Sequence, residues 1–91
     1  MNYIFKTSFI RLFKKLDRKK QEQIIDAIEA LKLLIEEKQK LESLGLKRLS
    51  KNIWEIRSSL KDRILFTFEK DTVSFILIGS HVDIIKYLKN L

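Results

Sequence analysis

The chain has 91 residues, 45% of them hydrophobic, with no cysteine, no proline and a net charge of +7. That length allows a single domain over 1–91 with one modest core, and the hydrophobic share excludes a disordered chain. The lack of cysteine excludes a disulfide framework or a thiolate metal site and favours the cytoplasm, while the charge calls for an acidic partner: nucleic acid, an acidic protein or a membrane surface.

Asn2 to Lys6 (NYIFK) is short, aromatic and alternating, which predicts a first strand. The start, Met1 to Phe13, is amphipathic; it does not read as a signal peptide, and no apolar run is long enough to span a membrane. Thr7 or Ser8 is expected to cap a short helix with the stripe Phe9, Leu12, Phe13 and Leu16. Asp17 is the expected N-cap of a longer helix. Its stripe runs Ile24, Ile28, Leu31, Ile35, widened by Ala27 and Leu34. Gly45 is its expected stop, with fraying allowed from Glu36 onward. A tight join at Leu16–Arg18 makes these two an αα-hairpin, with Lys14, Lys15, Arg18, Lys19 and Lys20 as a solvated basic corner.

The second half changes period. Leu46–Leu49, Ile53–Arg57, Arg63–Phe68 and Val73–Gly79 are the predicted strands, turning at SSLKD and at the tight EKDT. The tail from His81 to Leu91 reads as a last helix with Ile84, Leu88 and Leu91 aligned. The expected class is α+β: an N-terminal strand and αα-hairpin packed on an antiparallel sheet, with a short C-terminal helix.

Register follows from the turns. Arg57 falls opposite Arg63, Ile56 opposite Ile64 and Trp54 opposite Phe66; Phe68 then meets Val73, Phe66 meets Phe75 and Ile64 meets Leu77. One face collects Trp54, Ile56, Ile64, Phe66, Phe68, Val73, Phe75 and Leu77 for the long helix to cover. The other, open, carries Glu55, Arg57, Arg63, Leu65, Thr67, Ser74, Ile76 and Ile78. Two arginines directly across from each other repel, so an anion between them is one explanation, phosphate above all. The plainer one is two solvated arginines, or arginines paired with Glu55 and Asp62.

His81, the single histidine, follows the last strand; histidine being a common acid–base side chain, it is either a proton donor or an ordinary helix-start residue. Glu55 shares the arginine face as a proton acceptor or a salt-bridge partner. Lys47, Arg48 and Lys51 are candidates for a phosphate backbone, and Tyr87 for stacking on a base, against the readings of a solvated segment and a half-buried tyrosine. No glycine-rich phosphate loop, serine elbow or metal motif is present in the sequence.

The string LKRLSKNIWEIRSSLKDRILFTF, followed by SFILIGSHVDIIKYL, resembles the RelE/ParE superfamily of bacterial and archaeal toxins. The elements that carry it are Leu46–Leu49, Trp54–Arg57, Arg63–Phe66 and Gly79–His81, in a β-α-α-β-β-β order that covers nearly the whole chain. The resemblance implies a cytoplasmic toxin neutralised by a cognate antitoxin. In its RelE-like branch it implies cleavage of mRNA on the ribosome, without metal or organic cofactor. On that reading Arg57 and Arg63 hold the scissile phosphate, His81 is the general acid and Glu55 the base. Lys47, Arg48, Lys51 and Tyr87 then contact RNA. The ParE-like branch inhibits DNA gyrase without being an enzyme, and a catalytically inactive antitoxin-binding relative is a third possibility. Only one histidine stands here where some members use several, and Ile85 occupies a position where an aromatic often follows the histidine.

Overall fold

The computed structural model describes residues 1–38 and 44–91. In chain order these form β1 (Asn2–Phe5), α1 (Thr7–Lys15), α2 (Arg18–Glu37), β2 (Lys47–Arg48), β3 (Ile53–Arg57), β4 (Arg63–Glu69), β5 (Thr72–Gly79) and α3 (His81–Lys89). The five strands make one sheet in the order β1-β5-β4-β3-β2. Strands β2 to β5 pair antiparallel, whereas β1 lies parallel to β5, Tyr3 beside Val73 and Phe5 beside Phe75. The sheet is therefore mixed at one edge, with the α+β class unchanged.

Local chemistry sets the helix ends. Asp17 caps α2 by accepting from the Lys20 backbone N–H at 2.9 Å. The cap expected for α1 is absent: Lys6 occupies that position without a side-chain bond, and the Ser8 hydroxyl instead donates to the Ile76 carbonyl at 2.6 Å. Ser8 thus fastens α1 to β5. The long helix ends at Glu37, where Lys38 takes a left-handed conformation (φ 55°); Gly45 lies beyond it. The expectation that the helix frays towards Gly45 falls partly on residues 39–43, outside the described ones.

One face of the sheet and the α1–α2 hairpin enclose the core: Phe9, Ile24, Ile28, Leu31, Ile56, Ile64, Phe66, Val73 and Phe75 are all buried. Rings stack across it, Phe5 on Phe75 with centroids 5.1 Å apart and Phe66 near Phe75 at 6.0 Å. The expected register holds between β3 and β4. Between β4 and β5 it shifts. Phe66 pairs with Phe75 but Leu65 pairs with Leu77, so Ile76 is an extra residue and Ile64 meets Ile78, not Leu77. Beyond this bulge the faces of β5 exchange, and Ile78 joins the core in place of Leu77.

The second face is not open. α3 packs on β4 and β5 there, and Leu65 and Ile84 are buried outside the main core. Leu91 falls beyond α3 and is exposed.

Candidate active site

Three strand ends meet at one margin of this second face. Arg57 pairs with Arg63, and Arg63 with Gly79, so the three form a row across β3, β4 and β5. The chain leaves Gly79 straight into α3, which begins at His81. The next row inward is Lys47, Glu55, Leu65 and Leu77.

The turn from β5 into α3 is tightly built. Ser80 accepts from the Asp83 backbone N–H, and the Asp83 carboxylate accepts from the Ser80 N–H at 2.8 Å and its hydroxyl at 2.9 Å. This is a reciprocal capping box. The backbone and hydroxyl bonds from Ser80 hold the Asp83 carboxyl below its ordinary range. Gly79 makes room for it: a Cβ there would stand 2.7 Å from the Asp83 Cβ. Sequence reasoning passed over Ser80 and Asp83, although the S-x-x-D spacing at a strand end was the available signal.

The two arginines share a row but not an environment. Arg63 is 15% exposed at its side chain; its Nη1 lies 3.4 Å from Glu55 Oε2, and Glu55 is itself 6% exposed. Arg63 Nε is buried and has no hydrogen-bond partner among the described residues. Arg57 is exposed, and its stem crosses Gly45, where a Cβ would come within 2.9 Å of Arg57 Cγ. Gly45, at φ +62°, is needed both for its backbone conformation and for this passage. His81 is exposed at the first turn of α3, where the helix N-terminus favours negative charge.

The other candidates divide. Lys47 lies on the arginine face, next to Glu55 in the β2–β3 register, whereas Arg48 pairs with Trp54 and belongs to the opposite face. Arg48 sits 5.5 Å above the Trp54 ring and donates to the carbonyls of Ser50 and Lys51. Lys47 and Arg48 thus lie on opposite faces of the sheet. Tyr87 is half-buried, about 9 Å further along the α3 axis than His81. Among the described residues no cluster of His, Asp or Glu suits a metal ion, and no helix is long and apolar enough to cross a membrane.

With this geometry in hand, comparison defines the class. The chain has the fold of the RelE/ParE superfamily of toxins. It resembles a chain of the RelB–RelE antitoxin–toxin complex from Methanococcus jannaschii at 20% identity and TM-score 0.69, over 92% of this chain and 96% of that one. It resembles the YoeB/ParE toxin from Agrobacterium tumefaciens at 16% and 0.65, over 89% and 99%. It resembles YafQ from E. coli at 11% and 0.63, over 91% and 96%. The chain belongs to the family of phage-derived Gp49-like proteins (DUF891), whose model matches residues 11–81. No curated protein matches it by sequence.

Proposed function

We propose that this chain is the toxin of a type II toxin–antitoxin pair and that it cleaves mRNA on the ribosome, in the cytoplasm. The observation that carries the reading is the Arg57–Arg63–Gly79 row with His81 two residues beyond Gly79. Two arginines and the start of a helix share one margin of the sheet, and cations beside a helix N-terminus suit a phosphate whose charge grows in the transition state. In the proposed reaction the 2′-hydroxyl attacks the adjacent phosphorus and a new O–P bond forms. The bond to the 5′ oxygen breaks, and protonated His81 supplies that oxygen's proton. Glu55, the base favoured by the sequence, would have to leave its ion pair with Arg63 to take the 2′-hydroxyl proton. Lys47 is the lysine best placed to contact RNA beside the row.

The partner half of the proposal has its own surface. Between α1 and α2 runs an apolar groove with Phe5, Ile10 and Ile25 exposed in it; its charged lining residues are Lys14, Lys32 and Glu29, the last paired with Lys32 at 3.6 Å, which leaves Lys14 as the excess cation. An apolar helix with acidic flanks, the antitoxin segment we assign to it, fits both features. A second copy of the chain does not, because each carries +7.

The test maps 5′ ends of a translated mRNA beside a gyrase supercoiling assay. Wild type should give cuts in phase with the ribosomal A site. Arg57→Ala should lower them about 10²-fold and His81→Ala by about 10²-fold or more. Arg63 is tested as Arg63→Lys, since removing the cation would strand buried Glu55. No cuts together with blocked supercoiling would replace this reading with the gyrase one. Cuts undiminished by His81→Ala would remove His81 as the acid.

A further inference from the structure

Among the described residues Glu55 is the one charged residue that is buried, and a phosphate site gives no reason to bury a carboxylate beside it. Its surroundings supply one. Arg63 is held well inside the surface, with α3 packed on its strand and on β5. Its row neighbour Arg57 is also a cation and repels it. Without a counter-charge, the Arg63 guanidinium would swing outward on its long stem, away from the margin where the strands end. The other carboxylates at this end of the sheet are engaged elsewhere: Asp62 meets Lys20 and the Ser59 hydroxyl, and Asp83 closes the capping box with Ser80. Glu55 alone pairs with Arg63 among the described residues, and it meets Nη1 only, at 3.4 Å.

We propose that Glu55 is a positioning residue that holds the Arg63 guanidinium in the row by one end of its fork and leaves the remaining donors for a phosphate oxygen. The buried, unpartnered Nε is what such one-ended restraint leaves behind. Glu55 then takes no proton in the reaction, and the 2′-hydroxyl proton passes to solvent water as the new O–P bond forms. Its charge must persist throughout, because Arg63 stays in place only while Glu55 is ionised. The inference deepens the nuclease reading and rests on it for its catalytic half; the restraint itself does not.

The experiment uses the whole chain labelled with ¹³C and ¹⁵N, with the Arg63 Nε–H signal identified by its loss in Arg63→Lys. In Glu55→Gln, which keeps the shape and removes the charge, that proton should exchange with solvent about tenfold faster or more, with backbone signals of the core unchanged. Cleavage on translating ribosomes should fall about tenfold or more, and the fall should not multiply with that of Arg63→Lys, since both variants disable one device. An Arg63 Nε–H indifferent to Glu55→Gln overturns the proposal. So do losses that multiply in the double variant, which would mark Glu55 as acting separately, as a proton acceptor. Should Glu55→Gln not fold, wild type decides. On acid titration the Arg63 Nε shift must move with the Glu55 carboxyl carbon, and separate midpoints overturn the restraint. A wild type that cuts no mRNA defeats the nuclease reading while leaving the Arg63 signal to judge the pairing.

Discussion

Tyr3 ties the first strand to the long helix through a single polar contact. Its hydroxyl donates to Glu36 Oε1 at 3.1 Å and Lys32 lies 4.9 Å from the ring centre. Desolvation, then the Glu36 carboxylate, pushes the phenol from 10.0 up to about 12. The folded chain thus holds this proton more tightly than the unfolded one. The stability it contributes is fully present below pH 10.0 and is lost as pH rises through about 12. The difference in Tm between wild type and Tyr3→Phe should be constant near neutrality and shrink in that alkaline window; a constant difference throughout would mean the bond to Glu36 does not form in solution. Other side chains show how far residue types alone carry. Trp54 was expected to be buried; it is half-buried, because Arg48 rather than another element covers its outer ring. That contact depends on a two-residue strand, too short to have a readable register. Arg57 facing Arg63 was legible, since turn length fixes it. The burial of Glu55 was not, because alternation along β3 tells which face a side chain takes and not how far that face is covered.

At the scale of elements, α3 is positioned by its first turn. Gly79→Ala places a methyl group 2.7 Å from the Asp83 Cβ, so either the capping box or the helix must move. We expect a loss of about 1–3 kcal/mol by chemical denaturation, the usual range for overpacking. Ser80→Ala, which removes only the cap, should cost about 1 kcal/mol. A Gly79→Ala protein as stable as wild type would mean that α3 is free to shift without cost. The helices and three central strands were legible from period and caps, Asp17 above all. The bulge at Ile76 was not: VSFILIG is apolar on both faces, so alternation offered no contrast by which to see the faces exchange.

The molecule as a whole is a cation of +7, with an apolar groove on its helical side and the arginine row at the far margin of its sheet. A long-range attraction of this kind acts on encounter more than on the docked complex. On the proposed pairing, association with an antitoxin should therefore slow about tenfold or more as salt rises from about 20 to about 500 mM. An association rate indifferent to salt would contradict the electrostatic part of the partner assignment. Ile25→Asp should act mainly on dissociation, because Ile25 lies in the groove itself. One consequence reaches back to how the protein is made. The parallel pairing of Tyr3 with Val73 joins the start of the chain to a strand some seventy residues later. The hairpin of α1 and α2 can form from local contacts while synthesis continues, but β1 must wait for β5 to leave the ribosome. Closure of that long loop carries the largest entropic cost of the strand pairings. Until then Ile4 and Phe5 remain an apolar segment without a neighbour, and a partner present during translation would meet the hairpin before it meets the finished sheet.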